Sequence, residues 1–254
     1  MEISNYLFFE PMEYLWLFIL LALLAEVLGT IGGFGSSLFF VPIAAYFLDF
    51  HSVLGITALF HVTSNLSKII LFKKGFDKKI VLYLGVPAVI FVVIGAYLSQ
   101  FVQTKILEIL LSVFLIGISL FFLFAKKVNI QPTNKSSIIG GTLSGFTAGL
   151  FGTGGAVRGT VLAAFNLKKE VFIATSAIID LAIDCSRSAV YIYNGYVHKH
   201  DIYLIPILFI VSIIGTLIGK KVLTHISDKS FRNIVLVLIL FTGITTLLKR
   251  FMGT

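Results

Sequence analysis

Of the 254 residues, 57% are hydrophobic and only 13% are charged, and the chain offers many apolar runs long enough to cross a bilayer. That balance excludes a soluble protein and leaves one membrane domain, residues 1–254, with room for roughly eight spans of about 20 residues. The formal net charge of +8 comes mostly from Lys and Arg in short loops between apolar runs, which reads as a topology signal for a lipid-embedded chain and not as a nucleic-acid surface.

Apolar segments fall at residues 12–31, 38–48, 53–72, 80–101 and 106–125. After a polar loop at 126–136 they resume at 138–151, 157–165, 171–193, 202–223 and 231–248. Glu2, Glu10 and Glu13 open the chain without a Lys or Arg, so the basic region of a signal peptide is missing and the first span is expected to stay. The single cysteine, Cys185, rules out an intrachain disulfide and reads as a small buried residue.

The first segment runs into Gly29-Thr30-Ile31-Gly32-Gly33-Phe34-Gly35, followed by Ser36-Ser37, and the chain repeats the cluster as Gly149-Leu150-Phe151-Gly152-Thr153-Gly154-Gly155. Four glycines in seven positions predict a helix break at membrane depth, with free backbone N–H groups opening the next helix. A shift of 120 positions places Gly29 on Gly149, Gly32 on Gly152, Gly35 on Gly155 and Gly95 on Gly215. Two homologous repeats follow, residues 12–125 and 136–250. An inverted arrangement puts thirteen basic loop residues on the inside and four outside, against ten and seven for a parallel one, and is therefore preferred. The fold class expected is an all-α polytopic membrane protein of two inverted repeats whose glycine-broken or re-entrant helices face each other. The short runs 38–48 and 157–165 read either as re-entrant half-helices or as second arms of broken helices.

Seventeen of the twenty Lys and Arg belong to loops, leaving Lys68, Arg158 and Arg187 in or beside membrane segments. A charge at that depth costs at least about 2.5 kcal/mol on insertion scales, so these three are the leading candidates to bind an anion. Around them stand the backbone and hydroxyl donors of the two breaks: Gly32, Gly33, Gly35, Ser36, Gly152, Thr153, Gly154 and Gly155. A shift of 119 aligns His61, Asn65 and Lys68 with Asp180, Asp184 and Arg187, and the spacing i, i+4, i+7 gives each segment one polar stripe. Asp184 lies three residues before Arg187, which allows a structural ion pair there. Lys68 has no acidic residue at that spacing and reads as the freer cation. His61, Asp180, Asp184 and Glu26 are the groups placed to carry protons, with Glu26 alternatively a brace for the first break.

No nucleotide-binding Gly-Lys-Ser or Gly-Lys-Thr loop is present, and no cofactor is expected. His198-Lys199-His200-Asp201 reads as a solvated loop and not as a metal cluster, so no metal is expected. Ser36 with His61 could form the Ser–His pair of an intramembrane protease, the enzyme alternative to a transporter.

The duplicated glycine motif, with Val41-Pro42 after its first copy and Ala174-Thr175-Ser176-Ala177 in the second half, resembles the sulfite exporter TauE/SafE family of anion permeases over nearly the whole chain. The resemblance implies transport of sulfur-containing anions such as sulfite, thiosulfate or organosulfonates across the bacterial cytoplasmic membrane. The expected protein is therefore a multi-pass secondary transporter for a small sulfur oxyanion, working by alternating access with protons as a candidate coupling ion. An anion channel of the same architecture is the non-transporter alternative, and association of copies into a homo-oligomer is left open.

Overall fold

The structure, a computed structural model, describes residues 14–33, 35–124 and 130–223, together with residues 244 and 247. All of the apolar segment 231–248 but residues 244 and 247, and the basic residues Lys126, Lys127, Lys229, Arg232, Lys249 and Arg250, lie outside the described residues. Among the described residues every regular element is helical. In hydrocarbon a helix pairs its own backbone groups, which is why the apolar segments take this form.

Helix α1 spans Leu15–Gly32 and stops where Gly33 takes a left-handed conformation (φ 67°), its N–H bonding to the Gly29 carbonyl. After Gly35 (φ 86°) the short helix α2, Ser37–Ala44, begins. Phe18, near the start of α1, packs its ring 5.8 Å from Phe40 and 5.4 Å from Phe47, so α2 runs back along α1 as the second arm of a hairpin. The second half repeats the device. Helix α7, Asn134–Phe151, ends on left-handed Gly152 (φ 88°), and α8, Gly155–Ala163, returns along it. There Val161 covers Gly140, and the Ser144 hydroxyl donates to the Gly154 carbonyl at 3.0 Å. Eight or nine helical residues reach only about 12–14 Å, under half of the roughly 30 Å hydrocarbon thickness. The short runs are thus re-entrant arms, one of the two readings the sequence left open.

Between the hairpins stand the long helices: α3, Phe50–Leu71; the continuous helix Lys78–Ser99, built of α4 (Lys78–Ile80), a π-wound turn (Val81–Gly85) and α5 (Val86–Ser99); α6, Thr104–Phe124; α9, Lys169–Tyr193; and α10, Leu204–Leu223. Five helices among the described residues are long and apolar enough to cross a membrane: α1, α3, the α4–α5 helix, α6 and α10. Helix α9, with 25 residues, is long enough at about 37 Å, but it carries Asp180, Asp184 and Arg187. The outward faces show apolar side chains such as Trp16, Leu20, Leu82, Ile90, Phe209 and Ile210, as a lipid-facing surface requires. Cys185 is on the exposed side of α9, not buried as its composition suggested, because the polar stripe of α9 claims the inward face.

Small residues set the helix contacts. Gly141, Gly145 and Gly149, four residues apart on α7, lie against the backbone of Leu84, Ala88 and Val92, and a β-carbon at any of them would collide with it. Gly215 and Gly219 of α10 make room for the side chains of Glu26 and Thr30 of α1. Without a hydrophobic force between helices in lipid, close backbone approach of this kind is the main source of packing energy. Helices α3 and α9 pack antiparallel, with Gly55 against Tyr196 just past the end of α9, His61 against Arg187 and Asn65 against Asp184.

Candidate functional site

The two hairpin bends meet inside the protein: the Ser37 and Thr153 hydroxyls lie 3.3 Å apart, and Gly35 sits beside Arg158 and Asp180. Helices α2 and α8 both start here, and the first N–H groups of a helix have no carbonyl partner within it. Two positive dipole ends therefore converge on one place.

All three buried cations are paired. Arg158, in the first turn of α8, holds the Asp180 carboxylate through Nη2 (2.5 and 2.6 Å), with Nε donating to Ser176 and Nη1 to Ser144. Arg187 bonds Asp184 through Nε at 2.8 Å, the i,i+3 pair the sequence allowed. Its Nη1 donates to the carbonyls of Gly152 (2.8 Å) and Ala148 (3.3 Å), closing the C-terminal end of α7 with a cation.

Lys68 departs from its expected role as the freer cation. Its Nζ lies 2.9 Å from Glu26 Oε1 and donates to the Ser64 hydroxyl at 2.6 Å, and both charged groups are buried. The partner is on α1, 42 positions away, beyond the reach of any helix-spacing argument. Glu26 also accepts from Thr30, Ser36, Ser64 and Thr216. Five donors around an acceptor-only carboxylate tie α1, α3, α10 and the bend into one polar knot, the bracing role read as an alternative for this residue.

Ser36 lies outside the cavity, fully buried between two titratable groups. Its Oγ is 2.7 Å from His61 Nε2 and 2.5 Å from Glu26 Oε2. An Arg187 Nη2 donor faces His61 Nδ1 at 3.4 Å. The Ser36 hydroxyl donates to Glu26, and its oxygen faces the His61 Nε2 atom. A Ser–His nucleophile needs a free lone pair on the nitrogen facing the serine and an acid behind the ring. Here a guanidinium, that of Arg187, stands behind the ring where such a pair carries its acid.

Between these groups is a narrow cavity. Gly35 and Ser37 line it from the first hairpin, and Gly152, Gly154, Gly155 and Arg158 from the second. His61 and Asn65 of α3 close one side, and Asp180, Asp184 and Arg187 of α9 the other. An adjoining pocket past Gly35 and Asp180 reaches Gly33, Lys68 and Ser176. The free space at the centre of each is no larger than a water molecule, so a polyatomic anion requires the walls to separate. Of the residues expected at the site, Gly32 ends α1 and Thr153 is buried against Ser37; neither lines these two cavities. Asn65, which the polar-stripe spacing picked out, donates its amide to Asp184 at 2.7 Å and lines the cavity, and Ser176, named before only within the Ala174–Ala177 motif, lies beside it as a partner of Arg158.

A helical, membrane-spanning protein with charged groups and helix N-termini buried around a central cavity has the build of a polytopic membrane transporter. The description "Sulfite exporter TauE/SafE" matches residues 18–246, and the chain belongs to this family. It is also similar to a protein of Methanocaldococcus jannaschii named "probable membrane transporter protein", at 27% identity over 252 residues, covering 88% of this chain and 92% of that one. The chain is thus a multi-pass membrane transporter of the TauE/SafE family, as its duplicated glycine motif suggested.

Proposed function

We propose that the protein is a secondary transporter that moves a small sulfur oxyanion or organosulfonate across the cytoplasmic membrane by alternating access, together with a proton. The observation that carries this reading is the charge balance around the meeting bends. Lys68, Arg158 and Arg187 face Glu26, Asp180 and Asp184, three cations against three carboxylates, with His61 among them. An anion entering alone would leave one uncompensated negative charge in a water-poor site, at a cost of several kcal/mol. A proton arriving on Asp180 or Asp184 would restore neutrality and release an arginine to hold the anion. The helix N-termini at Ser37 and Gly155 supply further N–H groups to its oxygens. Protons could reach the cavity through the His61–Ser36–Glu26 chain, whose members lie within 2.7 Å of one another in sequence of contact.

Access would alternate by rocking of one half of the chain against the other, two bodies related by symmetry. An inverted repeat is supported by the antiparallel packing of α3 and α9 and by Asn65 meeting Asp184: residues aligned by the 119-position shift meet face to face, as they must beside a two-fold axis. The family description supports the sulfur-anion class.

Uptake of radiolabelled sulfite, thiosulfate and a small organosulfonate into proteoliposomes, with and without an imposed proton gradient, tests the reading. Saturable uptake of one of them, raised by the gradient and showing counterflow, is expected. Flux that neither saturates nor shows counterflow would make the protein an anion channel, and no uptake of any of the three would remove the substrate class.

A further inference from the structure

At the end of the α3–α9 pair where α3 begins, four ligating side chains converge that take no part in the central cavity. Asp49 caps the start of α3, its Oδ1 accepting from the N–H groups of His51 and Ser52 at 3.1 Å, which leaves Oδ2 for other partners. Across from it, the turn Lys199–Asp201 joins α9 to α10 and presents His198, His200 and Asp201. His198 Nδ1 lies 3.4 Å from Asp49 Oδ2 and 3.7 Å from Asp201 Oδ2, and His200 Nε2 lies 3.5 Å from Asp201 Oδ1.

We propose that His198, His200 and Asp201, with Asp49 as a fourth ligand, form a binding site for a divalent transition-metal ion of the zinc type. Tetrahedral ligands bound at 2.0–2.1 Å stand about 3.3 Å from one another. His198 Nδ1 is 3.4 Å from Asp49 Oδ2 and 3.7 Å from Asp201 Oδ2, near that spacing, and His200 Nε2 is 3.5 Å from the other oxygen of the same carboxylate, Oδ1, so side-chain rotation is needed to bring one atom of each residue onto a single ion. The ligand atoms of His198, His200 and Asp201 all fall within 4.8 Å of one another, and His200, whose side chain is 72% exposed, is free to close the longest gap by rotation. Two imidazoles and two carboxylates favour zinc-like ions over magnesium or calcium, which prefer oxygen alone.

The surroundings are those of a supported site. The Asp201 carboxylate is buried, and the Ser52 hydroxyl donates to its Oδ2 at 2.5 Å, an outer hydrogen bond of the kind that fixes a ligating carboxylate. The His198 and His200 rings are held nearly parallel, 5.3 Å apart. His198 now has the Ser52 oxygen at 2.6 Å from Nδ1, so an ion at that nitrogen requires the Ser52 hydroxyl to turn away from it. Asp49, His198 and His200 are all partly exposed, so an ion reaches them from water and not through the membrane interior. The metal would join the connection before α3 to the connection after α9.

The test is titration of the purified, detergent-solubilised full chain, freed of any polyhistidine tag, with Zn2+ by calorimetry and with Co2+ by visible absorption. One saturable site per chain is expected, with the absorption of tetrahedral Co2+ and at least tenfold weaker binding in His198→Ala and in His200→Ala. Asp201→Asn is expected to weaken it as well, and the exposed His200→Ala variant decides the matter if Asp201→Asn does not fold. Absence of a saturable site in the unmodified chain, or binding in His198→Ala and His200→Ala as tight as in the unmodified chain, would overturn the proposal and leave these residues a hydrogen-bonded clasp.

Discussion

The Lys68–Glu26 pair offers the most direct test of how the buried charges are held. In Lys68→Met the carboxylate of Glu26 stays buried without its cation. Removing one partner of a buried ion pair costs about 3–5 kcal/mol. Four hydroxyl donors, from Thr30, Ser36, Ser64 and Thr216, remain on Glu26, so the lower end, about 3 kcal/mol, is expected. For a chain of this size each kcal/mol moves the thermal midpoint by about 2–4 °C, giving a fall of about 6–12 °C. The double variant Glu26→Gln with Lys68→Met removes both charges and should recover at least half of that loss. Thermal unfolding of the four proteins of this cycle in detergent, followed by intrinsic fluorescence, gives the coupling directly. A midpoint for Lys68→Met within about 2 °C of the parent, or additive losses in the double variant, would refute the pairing as the reason Lys68 is buried.

Three further outcomes follow from the same geometry. Arg158→Ala removes the charge-assisted bonds that an anion would exchange with Asp180, so anion uptake should fall about 100-fold, the equivalent of about 2.7 kcal/mol, and undiminished uptake would displace the site from Arg158. Ser36→Ala interrupts the hydrogen-bonded chain from His61 to Glu26 while sparing the cavity lining, so anion binding should persist as uptake loses its response to an imposed proton gradient; a full response would sink the relay. Gly145→Leu drives a side chain into the backbone of Ala88 and should cost about 1–3 kcal/mol or more, seen as a lower level of folded protein in the membrane. Gly117→Leu on α6 meets open space and should leave that level unchanged, and equal effects of the two substitutions would count against the packing described.

What could be read from residue order alone was whatever depends on neighbours within a few positions. Glycine tolerates positive φ, so the clusters at 29–35 and 149–155 marked the ends of α1 and α7 before any coordinates, and Gly33 and Gly152 turn there. Helical period put His61, Asn65 and Lys68 on one face and Asp180, Asp184 and Arg187 on another, and the i,i+3 pair of Asp184 and Arg187 is present. Apolar content made the chain a multi-pass membrane protein. Partnerships between helices were out of reach, because periodicity says which face of a helix is polar and nothing about which other face it meets. Lys68 with Glu26, Arg158 with Asp180, and Asp49 with His198 all join segments far apart in the chain, and the first of these reverses the role spacing had suggested for Lys68. The return of α2 and α8 along their preceding helices was equally a tertiary matter: a glycine break permits either a continued span or a hairpin, and the contacts of Phe18 with Phe40 and Phe47 decide for the hairpin. Local conformational freedom is written residue by residue, whereas the pairing of buried charges is settled only when packing brings their helices together.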